Sequence, residues 1–129
     1  MQEPENPVAD AFVAHCPSRG LLTRIGEKWT MLIIVALAEG SVRFGALHRR
    51  IEGVSKKMLT QSLKNLESDG LLTRKLYDEM PLRVEYTLTP KGEELVPLIT
   101  ALKTWAEGVV VERVRSGEIK LDPAFQEAG

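Results

Sequence analysis

Little in this chain can bind a metal or build a covalent framework. It holds one cysteine, Cys16, and two histidines, His15 and His48. A lone cysteine forms no internal disulfide, which fits a reducing cytosol. The two histidines sit on different predicted elements, so no Cys/His cluster has metal-ligand spacing. Glycine-rich phosphate loops are absent too. The adjacent carboxylates Glu93 and Glu94 lie at a predicted helix start, where acids complement the macrodipole. An enzyme, a metal and a bound cofactor are therefore not expected. The longest apolar run, residues 31–38, has eight residues, against the roughly 20 that a membrane span needs. The first residues, MQEPENPVAD, are acidic and do not form a basic, apolar secretory leader. The expected location is the cytoplasm, with no membrane partner.

A length of 129 residues suits one domain with a modest core. The net charge of −1 conceals an uneven distribution. Residues 43–75 carry eight Lys/Arg and three acids, a local balance of +5, so the rest of the chain sums to −6. A basic middle between acidic ends is suited to facing phosphates.

Hydrophobic periodicity gives the layout. Residues 1–14, with two prolines and several acids, read as a loose arm. Leu21, Leu22 and Ile25 open a helical pattern that breaks near Gly26. From Lys28 to Glu39, the residues Trp29, Leu32, Ile33, Ala36 and Leu37 form an i, i+3, i+4, i+7, i+8 stripe. Met31, Ile34 and Val35 make that helix apolar nearly all round, so it is expected to be the most buried element. A short helix over Phe44–Ile51 turns Phe44, Leu47 and Ile51 inward, with Gly53 closing it. Ser55 is a good N-cap for a longer helix, although Met58 at N3 precludes a capping box. Leu59, Leu63 and Leu66 share one face of this helix; Lys57, Thr60, Gln61 and Lys64 share the other. Gly70 stops it. Alternation then predicts a two-stranded hairpin across 72–88, with its tip at Asp78–Pro81. Thr89 caps and Pro90 opens a final long helix, which Pro97 is expected to bend. The pattern fades after Ser116, leaving a mobile tail over 117–129. The fold expected is mainly α with a small β-hairpin, a winged helix-turn-helix domain spanning 15–116.

The functional reading follows from shape. A helix about 10–12 Å across fits the major groove of B-DNA. Lys57, Thr60, Gln61 and Lys64 would meet base edges there, with Ser55 and Lys56 toward the backbone. Gln can pair bidentately with adenine, Lys with guanine, and Thr can touch a thymine methyl. Arg43, and Lys75 and Arg83 on the hairpin, are further candidate DNA contacts, the hairpin pair reaching an adjacent minor groove or its phosphates. Each feature has a bland counterpart. A Lys/Gln/Thr face is often only solvated, and Arg49 or Arg50 can pair with Glu52 or Glu67. His48 reads as an exposed helix residue, and Phe44 and Tyr86 as core rather than base-stacking groups. The alternative function is a winged-helix protein-interaction module without sequence-specific DNA binding.

Three stretches, IGEKWTMLIIVAL (25–37), RFGALHRRIEGVSKKMLTQSLKNLESDGLL (43–72) and VEYTLTPKGEEL (84–95), resemble the HxlR-type transcriptional regulators, a branch close to the MarR-like winged helices. The resemblance runs from Cys16 to about Trp105. It implies a homodimeric DNA-binding regulator whose dimer interface uses the N-terminal and final helices, and whose recognition helix corresponds to Ser55–Asp69. Gly45-Ala46 replaces the capping Ser or Asn and following Glu that the family usually places after RF. Dimerisation also has a reason in the residues. Leu98, Ile99, Leu102, Trp105, Val109 and Val110 give the last helix more apolar surface than one short domain readily covers. A two-fold dimer on a palindromic operator is expected. Cys16 precedes the first helix, where a thiol pKa can be lowered; relatives that use a cysteine in this CP position make it a candidate redox or electrophile sensor. A half-buried structural thiol is the plainer reading. A small-molecule effector is compatible with the layout, but no motif names one.

Overall fold

A computed structural model describes residues 8–122. The parts of the N-terminal arm and of the C-terminal tail at 1–7 and 123–129 lie outside the described residues. The chain divides into two compact units, Met1–Val96 and Pro97–Gly129.

In the first unit, α1 (Pro17–Ile25) and α2 (Lys28–Ala36) precede a two-residue strand, β1 (Val42–Arg43). Next come α3 (Phe44–Arg50), α4 (Lys56–Ser68), β2 (Leu72–Tyr77), β3 (Arg83–Leu88) and a single-turn α5 (Pro90–Glu93). The core forms where α2 meets α4: Ile33, Ile34 and Leu37 on α2 and its C-cap are at most 1% exposed, and Leu59, Leu63 and Leu66 at most 2%. Leu47, Ile51, Val54, Leu71, Leu72, Tyr86 and Leu88 complete it. The expected stripe on α2 is shifted. Leu32 is 38% exposed and Ile34 fully buried, because a helix apolar all round leaves its orientation to its neighbours. Phe44 is only half-buried, its ring stacked 6.4 Å from that of His48, while Leu47 and Ile51 are buried.

The hairpin has a third strand that the sequence did not announce. The antiparallel order is β1-β3-β2, with Val42 opposite Tyr86 and Arg43 opposite Glu85. Two residues are too few for alternation to register. The final helix is also broken rather than bent. Thr89 accepts a hydrogen bond from Gly92 N at 3.2 Å to start α5, and α6 (Val96–Arg115) then begins afresh. Pro97 is thus the second residue of α6, where its missing N–H has no helical partner to lose.

Chain reversals are held by specific caps. Gly70, at φ +76°, ends α4 with Leu71 N bonding Leu66 O and Gly70 N bonding Glu67 O, each at 3.0 Å. These two bonds make a Schellman motif, which favours glycine at that left-handed position. Thr89 then ties the sheet's exit to this turn, its Oγ1 donating to Gly70 O at 2.7 Å and its N to Leu71 O at 3.0 Å. Gly92 lies directly against the same backbone: a Cβ there would sit 2.0 Å from Leu71 O.

The second unit contains α6, with a Lys103–Glu107 pair at 2.7 Å on its surface. Its end repeats the Schellman pattern at Gly117, φ +82°. Leu98, Leu102 and Trp105 are 66%, 50% and 67% exposed, Val109 and Val110 are half-buried, and Ile99 is buried. No helix among the described residues is long and apolar enough to cross a membrane.

The backbone approach at Gly92 gives a direct expectation. Gly92→Ala forces a backbone shift and should lower stability by about 3 kcal/mol, the upper end of ordinary overpacking costs. Urea unfolding followed by circular dichroism measures it.

Candidate nucleic-acid interface

Helix α4 presents its face because its other face is fixed. Ser55 caps it through Oγ, which accepts from Met58 N at 3.0 Å. With the leucine face buried, Lys57, Gln61 and Lys64 are exposed, Thr60 is half-buried beside them, and Ser55 and Lys56 are exposed at the N-terminal end. Gln61 Nε2 donates to Asn65 Oδ1 at 3.0 Å, one turn along. Lys56, Lys57 and Lys64 make no ion pair among the described residues. Their charge is therefore available to an external partner.

The far end of α4 is clamped. Arg24 on α1 donates twice to Asp69, the C-cap of α4: Nε to Oδ2 at 2.7 Å and Nη2 to Oδ1 at 2.6 Å. This bidentate fork is the strong form of a charge-assisted hydrogen bond. The hydrogen bond, and then the nearby carboxylate charge, raise the Arg24 pKa. Helix α1 itself buries no side chain, so this clamp is its main polar anchor to the recognition helix.

Strand register separates the expected wing contacts. Arg43, Lys75, Tyr77, Arg83 and Glu85 occupy one face of the sheet, by the pairings Arg43 with Glu85, Lys75 with Glu85, and Tyr77 with Arg83. On this face the guanidinium of Arg83 lies 3.9 Å from the Tyr77 ring centre, and Lys75 Nζ lies 4.8 Å from it. Arg83 also pairs with Glu79 at 3.2 Å. Its Nε is 3.0 Å from Glu85, an ion pair without hydrogen-bond geometry. Arg83 is thus engaged within the wing rather than extended to solvent. Residues 72–88 hold three basic and three acidic side chains, so the wing as a whole is neutral.

The opposite sheet face carries Arg74, paired across from the buried Tyr86. It borders a cleft of about 840 Å³ between α3, α4 and the sheet, lined among others by Arg49, Thr60, Lys64, Arg74, Val84 and Tyr86. Arg49 and Arg74 were not among the expected contacts. The pairing of Arg49 or Arg50 with Glu52 or Glu67 is not found among the described residues. For Arg74, the signal lay in its phase: it stands two residues from the buried Leu72, on the same face of the strand, and so points to the helix side.

Near the N-terminus, Cys16 is the N-cap of α1 and half-buried, with Sγ 3.0 Å from Ser18 Oγ. The Ser18 side chain, then backbone bonds involving Ser18 and Asp10, hold its thiol pKa below the ordinary value, against a small opposing effect of desolvation. The described part of the arm is tied back by Arg19, which donates to Ala11 O at 2.9 Å and Phe12 O at 2.8 Å. Among the described residues no group of His, Cys, Asp or Glu could hold a metal.

A two-helix turn with a polar recognition face and a three-stranded wing is the architecture of winged-helix regulators. A family model for HxlR-like helix-turn-helix proteins matches residues 24–113. The chain belongs to this HxlR-like family. The HTH-type transcriptional regulator YtfH of Escherichia coli is 50% identical over 96 residues, covering 74% of this chain and 76% of YtfH. The ytfH regulator of Salmonella typhimurium superposes with a TM-score of 0.79 at 42% identity, covering 87% of this chain and 100% of that one. The redox regulator HypR in its oxidised form superposes with a TM-score of 0.66 at 35% identity, covering 72% and 96%. The HxlR-like chain is accordingly a transcriptional regulator with a helix-turn-helix domain.

The clamp makes a testable prediction within this HxlR-like domain. Arg24→Gln should raise amide hydrogen exchange several-fold in α1 and in the last turn of α4, leaving the α2–α4 core protected. The same loosening should grow with salt in the unaltered protein, because the clamp is partly exposed and screened.

Proposed function

We propose that the protein acts as a homodimer that binds a palindromic operator in double-stranded DNA, reading bases with α4. The observation that carries this reading is the exposed polar face of α4, Lys57, Gln61 and Lys64, whose two lysines make no ion pair among the described residues, held outward by a buried leucine face. Thr60 completes the reading surface; Ser55 and Lys56 stand nearest the phosphates at the helix N-terminus, where backbone amides favour anions. Lys75 and Arg43 supply positive charge from the wing side. Arg83 supports the wing's shape through Tyr77, Glu79 and Glu85. Regulation of transcription places the protein in the compartment that holds the genome, which in a bacterium is the cytoplasm.

Dimerisation rests on the apolar side chains left exposed on the terminal helices. Leu98, Leu102 and Trp105 on α6, and Leu21 and Leu22 on α1, are exposed, and such surface is rarely left uncovered. A two-fold dimer sets its recognition helices about 34 Å apart, one turn of DNA. Cys16 gives the dimer a response to oxidants or electrophiles. Its lowered pKa raises the thiolate fraction at neutral pH, and the thiolate is the reactive form. With no second cysteine in the chain, its products are an intersubunit disulfide, a mixed disulfide or a sulfenic acid.

Three measurements test these points. In gel shifts with the DNA immediately upstream of its own gene, Lys57→Ala and Lys64→Ala should each weaken binding, and the loss should shrink as salt rises. Gln61→Ala should instead relax preference at one position per half-site, by roughly 1–3 kcal/mol; unchanged footprints for all three variants would displace α4 as the reader. Binding that persists in high salt would favour a protein partner over DNA. Equilibrium sedimentation should give a dimer at micromolar concentration, and Trp105→Glu a monomer. Alkylation of Cys16 should reach its plateau at a lower pH than in the unfolded chain, and Ser18→Ala should move the profile upward. Diamide should alter operator affinity in the native protein and leave that of Cys16→Ser unchanged.

A further inference from the structure

The outer part of the wing, residues 76–82, contains no lysine or arginine. Arg83, the next residue, is held by Glu79, Glu85 and the Tyr77 ring. The tip thus has no cation of its own with which to grip a phosphate. What it exposes is apolar: Met80 is 97% exposed, Leu82 64% and Leu76 52%. Leu76 pairs across from Val84, on the same sheet face as Tyr86 and Leu88. The apolar surface therefore continues the helix-side face of the sheet beyond the part that the core covers. Strands of six residues carry the tip about 20 Å along the hairpin. Glu79, Pro81 and Leu82 also border the same cleft as Thr60 and Lys64 of α4. A duplex lying on α4 is within reach of the tip.

We propose that Met80, backed by Leu82, enters the minor groove beside the bases read by α4 and wedges a base step open, bending the operator. Hydrogen-bond readout in that groove is degenerate, and its walls are deoxyribose, so an apolar side chain gives up little on entering it. Apolar wedges of this kind, methionine and leucine among them, partly unstack a step and bend the duplex toward the major groove. Methionine is unbranched and adapts to an irregular gap. Unstacking costs least at pyrimidine–purine steps, so the wing adds a sequence preference that no base-edge contact supplies. Two acids stand next to the wedge. Glu79 is engaged by Arg83 at 3.2 Å, whereas Asp78 is exposed and opposes the approach of phosphate at low salt. The inference deepens the proposed DNA reading and rests on α4 being the reader.

The test uses the full chain and a duplex carrying its footprinted site from upstream of its own gene, with 2-aminopurine placed in turn at each step flanking a half-site. The native protein should bend this duplex by at least about 20° per half-site, read by circular-permutation gel shift. It should also raise 2-aminopurine fluorescence at one step. Met80→Gln should halve the bend or more, remove the fluorescence rise and weaken binding at least fivefold. Since Met80 is almost wholly exposed, its circular dichroism should not change. Leu82→Ser should act in the same direction, and Met80→Leu should preserve all three readouts. Replacing a pyrimidine–purine step at the wedge by ApA should weaken the native protein and not Met80→Gln. Lys57→Ala should weaken binding with the bend at saturation unchanged, and Asp78→Asn should tighten binding at low salt. A bend and a fluorescence rise that survive Met80→Gln overturn the wedge and leave α4 as the reader. If Met80→Gln instead converts a dimer to monomers in sedimentation, the tip is a contact between copies and the wedge fails. A native protein without affinity for DNA overturns the DNA reading, and the wedge with it.

Discussion

Helix α4 presents one polar face only because it cannot roll. Leu59, Leu63 and Leu66 are pressed against Ile33, Ile34 and Leu37, all six essentially without solvent exposure. Rotating α4 by one residue position would turn a leucine outward and bring a lysine or glutamine inward. Each buried leucine is worth about 1.5–3 kcal/mol, and an unpaired buried charge costs more. One hydrophobic seam thus sets the direction of every polar side chain on the opposite face. Translation is restrained separately, by Ser55 at one end and at the other by the Gly70 turn stitched to Thr89 and packed beneath Gly92.

Charge is divided unevenly between α4 and the wing. Most of the basic excess of residues 43–75 lies on α3, α4 and the helix side of β2, where Arg49, Lys64 and Arg74 make no ion pair among the described residues. The wing cancels its own charge. Arg83 is enclosed by Glu79, Glu85 and the Tyr77 ring, an arrangement that stiffens the hairpin at the cost of its reach toward phosphate. Positive charge without an ion-pair partner among the described residues is thus concentrated around α4, whereas the wing is neutral.

Much of this architecture was legible in the residues, for reasons that can be named. The leucine periodicity of α4, Ser55 and Gly70 are local signals, and local physics reproduces them in the structure. The wing alternation placed β2 and β3 for the same reason. What could not be read depended on tertiary neighbours. In α2, apolar on every side, Leu32 and Ile34 exchanged roles because only the packing partner distinguishes them. The strand at Val42–Arg43 exists by virtue of its pairing with β3 and leaves no trace in two residues. Arg83 looked free because its partners Glu79 and Glu85 are ordinary wing acids until the strands bring them together. Arg74 was overlooked although its phase with Leu72 was visible; a charged residue on the helix side of a strand is easily mistaken for solvated.

Helix α1 is the exception to the rule that packing sets position. Within one chain it buries no side chain, and the Arg24–Asp69 fork carries much of the task of positioning its C-terminal end. An element held in this way can shift without opening the core, since breaking a partly exposed ion pair leaves both charges able to hydrate. Its N-terminal end carries Cys16, with Sγ 3.0 Å from the hydroxyl of Ser18, the second residue of the helix. Under the proposed thiol response, chemistry at Cys16 would act on an element joined by a fork of two hydrogen bonds to the C-cap of α4. A rigidly buried α1 would be more stable and less able to pass such a change along. Within one chain the sparse packing of α1 and the dense packing of α4 are complementary: one element held by a polar contact that water can replace, and one fixed by the core.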